Sequence, residues 1–417
     1  MQKKATVYIM SIIGLLPLVM VLGNSMLLPI LPLIEDELNI THIEVGLLLS
    51  IFSLIAAIVI PIVGFLSDRF GRKKLVLLSL FFVMVGNFVT IIGGLGVKEP
   101  YTWIFIGRII QGIGAGGTAP LAMALIGDLF EGEQRSKSLG IIEVFNGIGK
   151  VVSPFLGALA ALFSWYSAFC FYFFVSLIAF VGIYFSIKSI NQEKVNEPLF
   201  HYLKMLMNVI RREARTLFPL SLIGAVGLFL LFGMLVFLSF EIERIYAING
   251  LFKGFVFMVP LGLLTYVSYW TGKNIASNLL YMKKLLLLGI TLLTGSLLGL
   301  IFFHQFHQLI FSLTIAASGV GFILPCANTL ITSTVGGKER GFIVSIYGMV
   351  RFLGVAFGPI FFSLWMQEVV SMFVKASLLM IITGIWVIIA FKLTRVIKIM
   401  KVQLTIRKKI ELLFYKK

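Results

Sequence analysis

The 417-residue chain is predicted to be an all-α membrane protein, with twelve transmembrane helices arranged as two six-helix bundles. Three observations predict this: the composition, a series of long apolar runs, and a repeat relating the two halves. Hydrophobic residues make up 59% of the chain and charged residues 13%, against about 25% charged in an ordinary soluble domain. A soluble core of this size could not bury so much apolar side chain.

A spanning helix needs about 20 predominantly apolar residues. Such runs fall at 6–33, 43–66, 75–96, 101–125, 138–162, 167–187, 217–240, 251–271, 284–303, 308–332, 341–366 and 371–393. The connections between them leave no room for a soluble domain. The first run follows only Met1 to Lys4 and is too long for a cleaved signal, so it is expected to be a retained span. Cys170 and Cys326 lie inside apolar runs, which argues against a disulfide framework and suits small packing residues.

The longest polar interruption, 188–216, divides the spans six and six. The expected organisation is therefore a first bundle over 1–187, a cytoplasmic linker over 188–216, a second bundle over 217–393 and a basic cytoplasmic tail over 394–417. A short amphipathic helix is expected around Leu203 to Ile210, lying on the membrane surface.

The formal charge of +17 raises the question of nucleic acid, and the placement of the charges answers it. With the N-terminus in the cytoplasm, 28 of the 35 Lys and Arg fall on the cytoplasmic side. Lys98, Arg244 and Lys253 fall outside. This asymmetry is the positive-inside pattern. It puts both termini in the cytoplasm and the chain in the cell's inner membrane. The expected partners are membrane lipids and a small-molecule substrate, with no nucleic acid, and the expected state is a monomer.

The halves repeat at one offset. Gly116 and Gly321, Pro120 and Pro325, Arg135 and Arg340, Gly149 and Gly354, and Pro154 and Pro359 are each separated by 205 residues. Four pairs lie in the fourth and fifth spans and their counterparts, the tenth and eleventh, and Arg135 and Arg340 lie just before the fifth and eleventh. Parallel repeats of this kind are a transporter architecture.

Between the second and third spans runs Gly64-Phe65-Leu66-Ser67-Asp68-Arg69-Phe70-Gly71-Arg72-Lys73-Lys74. Gly64 permits close helix approach, Asp68 can reach backbone amides or a cation, and Arg72 and Lys73 suit acidic partners. This stretch resembles the signature loop of the major facilitator superfamily. Further stretches resemble that family's twelve-span drug:proton antiporter branch: Leu22-Gly23 with Pro29 and Pro32 in the first span, and Arg108 with Gln111-Gly112-Ile113-Gly114-Ala115 in the fourth. In the fifth span Gly149, Ser153-Pro154 and Gly157-Ala158 resemble the antiporter motif. There Ser153 and Ala158 stand where the pattern has glycine, whereas Gly354 and Gly358-Pro359 in the eleventh keep the Gly-Pro pair. Gly112, Gly149, Pro154, Gly354, Gly358 and Pro359 are accordingly expected to serve helix packing. The resemblance implies that the loop is a conformational latch, with Asp128 pairing with Arg72. The corresponding stretch of the second half, around Gly272, Lys273, Lys283 and Lys284, carries no acid.

Four ionisable residues lie well inside spans: Arg108, Glu143, Lys150 and Arg351. A charge there costs roughly 2.5 kcal/mol or more, so these residues are expected to be functional or paired. Glu143, Asn146 and Lys150 share one helix face. Lys150 and Arg351 fall near mid-membrane on repeat-equivalent helices. Asn24, Met26, Asn146, Lys150 and Arg351 are the expected substrate cavity, and Arg108 and Glu143 the expected proton-coupling residues.

The leading expectation is a proton-coupled exporter of drugs or amphipathic metabolites. The excess of cations over acid in the cavity motivates an alternative, a dedicated exporter of an anionic metabolite such as a siderophore, or of a lipid. An intramembrane enzyme or receptor is a third class. Against an enzyme, His42, His201, His304 and His307 all lie near span ends and suggest no metal site. The chain also lacks a phosphate-binding loop for ATP. No cofactor is expected beyond the proton as coupling ion.

Overall fold

In a lipid bilayer every backbone polar group must be satisfied within the segment, so apolar runs of this length become helices. The computed structural model describes residues 2–187, 199–246, 250–275, 279–303, 305–333 and 337–414. They form helices α1 (Gln2–Ser25), a 3-10 turn η1 (Leu28–Ile30), α2 (Leu31–Leu38), α3 (His42–Phe70), α4 (Arg72–Gly94), α5 (Pro100–Leu129), α6 (Gly132–Ala160), α7 (Ser167–Ser186), α8 (Leu199–Tyr246), α9 (Leu251–Asn274), α10 (Leu279–Phe302), α11 (Phe306–Ser333), α12 (Gly337–Trp365) and α13 (Val369–Phe414). Among the described residues, twelve segments are long and apolar enough to cross a membrane, the first being Val7–Leu38 and the last Val369–Phe391.

Two elements differ from expectation. The first span is not one helix: α1 ends at Ser25, and the chain passes through η1 before α2. Pro29 and Pro32 lack the N–H that an α-helix needs and crowd the preceding turn, so Leu27 N–H turns back to Asn24 O and Ile30 N–H to Leu27 O. The span also continues to Leu38 rather than ending near residue 33. The stretch expected as a separate amphipathic helix around Leu203 to Ile210 instead opens the 48-residue α8, which runs unbroken into the seventh span. Residues 188–198 of the expected linker lie outside the described residues. In the tail expected over 394–417, α13 continues helically to Phe414.

Small residues set the packing within each bundle. A Cβ on Gly86 of α4 would stand 2.6 Å from Gly107 O of α5, and one on Gly107 would stand 2.7 Å from Gly86 O. The second bundle repeats the device: a Cβ on Gly289 of α10 would meet Gly319 O of α11 at 2.6 Å, and the reverse contact is 2.7 Å. Without a hydrophobic drive between helices in lipid, such backbone approach is a main source of association. The packing device thus recurs in both bundles, though its glycines do not keep the 205-residue offset.

The bundles meet along two seams, α3 against α12 and α6 against α9. On the face away from the termini the seam is sealed. There a Cβ on Gly46 would stand 2.7 Å from Ser363 Oγ, Ser239 donates to Leu28 O at 2.5 Å, and the rings of Phe155 and Phe255 are 5.0 Å apart.

Candidate translocation site

Three groups of polar residues occupy the helical frame. The first is the loop between α3 and α4, on the face that carries the termini. Gly71 turns the chain there with a φ of 88°, a left-handed conformation that suits glycine. Beyond it, Arg72 Nε lies 2.7 Å from Asp128 Oδ2 at the end of α5, with both side chains largely covered. Lys73 donates to Tyr184 O of α7 at 2.9 Å. Arg69 lies over the Phe65 ring at 4.3 Å. Gly64 faces the other bundle, where a Cβ would stand 3.2 Å from Ser345 Oγ. The loop therefore ties α4 to α5 and α7 within its own bundle while its first glycine touches α12. The side chain of Asp68 lies outside the described residues.

The second group surrounds Arg108, which is fully buried on α5. Its Nε donates to Leu48 O at 2.8 Å, Nη1 to Gly23 O at 2.6 Å and to Gln111 Oε1 at 2.8 Å, and Nη2 to Asn24 Oδ1 at 2.5 Å. Its guanidinium lies 4.3 Å from the centre of the Phe52 ring. Asn24 in turn donates to Ser53, and Gln111 to Asn87 and Thr90. These partners are all neutral. A guanidinium presents five donors in a fixed fork, and here that fork pins α1, α3 and α5 together. Asn24 and Met26, expected in the cavity, are both buried: Asn24 belongs to this network, and Met26 packs its carbonyl against Gly157.

The third group lies at mid-span. Lys150 of α6 is half-buried, and its charged neighbours are Glu143 on its own helix and Arg351 on α12 of the other bundle. Glu143 is exposed and accepts from Asn146 Nδ2 at 3.2 Å. Arg351 lies 5.3 Å from the centre of the Tyr347 ring, one turn earlier, and its Nε is buried without a partner in the protein. Lys150 thus has a carboxylate neighbour on its own helix and a cation neighbour on the opposite bundle. The structure brings Glu143, Asn146, Lys150 and Arg351 together and leaves Arg108 in a separate network.

The packing residues divide as well. Gly354 faces Ala225 O and Gly358 faces Phe229 O, each too closely for a side chain. Gly149 is looser, since a Cβ there would make an ordinary 3.5 Å contact with α1. Ser153, in a glycine position of the motif, satisfies its hydroxyl on Gly149 O. Ala158, in the other, packs against Gly254 of α9, where a Cβ would meet the Ala158 methyl at 3.0 Å. The missing glycine is supplied by the facing helix. Pro154 and Pro359 lie inside α6 and α12.

The family model of the major facilitator superfamily matches residues 13–359. The chain belongs to that superfamily. This transporter is 39% identical over 354 residues to the bacillibactin exporter of Bacillus subtilis, covering 84% of this chain and 88% of that one. It is 26% identical over 351 residues to multidrug resistance protein 1 of the same species, covering 81% and 85%. Among solved structures it resembles a bacterial homolog of the human lysosomal transporter Spinster in an inward-facing, unoccupied conformation, with a TM-score of 0.71, 15% identity and 93% and 95% of the two chains covered. It also resembles the human organic anion transporter MFSD10 (TETRAN), with a TM-score of 0.66, 19% identity and 91% and 99% covered. At those identities the two structures show the fold alone. The chain is a secondary transporter that moves small molecules across a membrane.

Sequence reasoning missed one group. Where the bundles close, the pairs Glu35 with His42 and Glu243 with Lys253 stand on either side of the seam. Glu35 was visible only as an acid at the outer end of the first span, and no spacing rule connects it to α8 and α9.

Proposed function

We propose that this transporter exports a small anionic metabolite, of siderophore type, across the cytoplasmic membrane by alternating access. The observation that carries this reading is the pair Lys150 and Arg351. The two cations reach mid-span from opposite bundles and act on one another, and the carboxylate that acts on Lys150 is Glu143. An uncompensated cation in low dielectric is costly, and an anion held between the two bundles would offset that cost. The Arg351 guanidinium, beside the Tyr347 ring, offers such a ligand donors. The name of the bacillibactin exporter, at 39% identity, supports the same substrate class.

In this reading the basic face is cytoplasmic and the proton is the coupling ion. Arg108 holds helices together rather than passing a proton, because its hydrogen-bond partners are neutral. Arg72 and Asp128 form the latch that keeps the cytoplasmic end of the first bundle in register with α4 and α5.

Export of amphipathic drugs is the second reading, supported by the similarity to multidrug resistance protein 1. Reconstitution in proteoliposomes with an imposed pH gradient tests both, using matched cationic, neutral and anionic compounds. Preferential transport of anions, lost on Lys150→Ala, supports the first reading. Cations carried equally well, or anions carried undiminished by the variant, would overturn it.

A further inference from the structure

The sealed face carries a charge cluster that neither the loop nor the mid-span site uses. The chain leaves α2 through Asn39, whose φ of 51° is left-handed, and enters α3 through a capping box. In that box Thr41 N–H donates to Glu44 Oε2 at 2.8 Å, and Thr41 Oγ1 accepts from Glu44 N–H. Glu44 is thereby engaged. The tight turn brings His42, the first residue of α3, back onto Glu35, with Nδ1 2.7 Å from the carboxylate.

The couple sits on the seam between the bundles. The His42 ring is 4.6 Å from the ring of Phe240 on α8. One residue earlier, Ser239 bonds Leu28 O across the same seam. The charged groups around the couple come from three helices. Asp36 lies beside Glu35 on α2. On α8, Glu241 bonds Arg244 at 3.3 Å, and Glu243 accepts from Lys253 of α9 at 2.5 Å. Lys253 is only 3% exposed. Glu35 feels the charges of Asp36 and Glu243, and Lys253 feels that of Asp36. Charges of the two bundles therefore act on one another directly.

We infer that Glu35 and His42 form a proton-sensitive latch that holds this face of the transporter closed when protonated. Across the seam Glu35 is repelled by Glu243, while Lys253 attracts Asp36. With His42 neutral, the uncompensated charge at Glu35 therefore pushes the seam apart. A proton on His42 cancels Glu35 without breaking the 2.7 Å contact, since Nδ1 donates in either state. Histidine is the side chain whose ordinary titration lies between pH 5 and 8. The His42 side chain is 45% exposed, so it exchanges protons with the aqueous phase on this face. Acid outside then favours the closed seam, and alkali favours the open one. The inference does not depend on the substrate.

A thiol buried in the seam tests it. Ser363 is 1% exposed and faces Gly46, whereas Phe163 is 84% exposed on the same face. Both Ser363→Cys and Phe163→Cys are made in full-length protein carrying Cys170→Ala and Cys326→Ala. Labelling with a membrane-impermeant maleimide is read as the ratio of the two sites, which removes the reagent's own pH dependence. The ratio should fall about fivefold from external pH 8 to pH 5.5, the order expected for one charge at a partly solvated seam. His42→Gln should hold it high and flat with pH, and Glu35→Gln low and flat. Should His42→Gln fail to fold, His42→Asn and Glu243→Gln serve in its place, the second lowering the ratio at pH 8. A ratio flat in the parent protein would overturn the inference. So would a wild-type pH response in either His42 variant, or labelling of Glu35→Gln as fast as that of His42→Gln.

Discussion

Arg108 on α5 donates to Asn24 Oδ1 on α1 at 2.5 Å, and it also donates to the carbonyls of Gly23 and Leu48 and to the amide oxygen of Gln111. The arginine of the fourth span is thus held by a neutral shell. That arrangement fixes three helices relative to one another and leaves the first span free of a mid-span acid.

Removing members of that shell should cost stability in order of their share in it. Asn24→Ala deletes one bond to a charged donor, worth about 1.5–3 kcal/mol, and should lower the midpoint of thermal unfolding in detergent. Arg108→Ala strands several buried acceptors at once and should unfold at a distinctly lower temperature than Asn24→Ala. Arg108→Lys keeps the charge and loses the planar fork, so it should fall with Arg108→Ala. An Arg108→Ala protein as stable as the wild type would refute the structural role.

The Arg72–Asp128 pair should behave as one unit. Arg72→Ala and Asp128→Ala should each slow transport several-fold while expression persists, and the double variant should be no slower than the worse single. The coupling read from such a cycle should be about 0.5–1 kcal/mol, the range for partly exposed pairs. Asp68→Asn should also impair transport. Additive losses in the double variant would show that the two side chains act separately.

Substrate charge should discriminate at mid-span. Lys150→Ala and Arg351→Ala are expected to weaken anionic compounds at least tenfold while changing neutral ones by less than about threefold, since each removes a charge from the site. Equal losses for both classes, measured as binding to purified protein, would reduce the two cations to helix packing.

Anion affinity should also report on Glu143. When ionised, its carboxylate competes with an anionic substrate for Lys150. Two helical turns separate the two residues, about 10 Å at about 1.5 Å per residue. At an effective dielectric of about 20–80 the interaction is about 0.4–1.7 kcal/mol, on the order of fivefold in affinity. Glu143→Gln, which removes that competitor, should therefore bind anions more tightly by about that factor, read as Kd on purified protein. Unchanged affinity in Glu143→Gln would show that the carboxylate does not act on the site.

Repeat-equivalent glycines should differ in tolerance. Gly149→Ala adds a methyl in ordinary contact and should be nearly neutral. Gly354→Ala, which drives a methyl into Ala225 O, should destabilise by about 1–3 kcal/mol. Thermal unfolding of the two variants side by side is the check, and equal midpoints would contradict the packing described.

The sequence by itself determined the number of spans, the two-bundle division, the repeat and the family. These follow from run length, hydropathy and motif spacing, properties local to a stretch of chain. It also located the mid-span cations, because a charge in an apolar run stands out. The break at Pro29 and Pro32 was legible as residues but was expected as part of one helix, since proline is tolerated in many spans and only the surrounding contacts decide whether it bends or breaks them. The tertiary structure alone decided which polar residues meet. It placed Asn24 with Arg108 rather than in the cavity, opposed Gly254 to Ala158, set Lys150 beside Arg351, and set Glu35 and His42 against α8. Those partners come from different helices, and the distance between two helix faces is fixed by how the bundles pack, which no periodicity within one segment encodes.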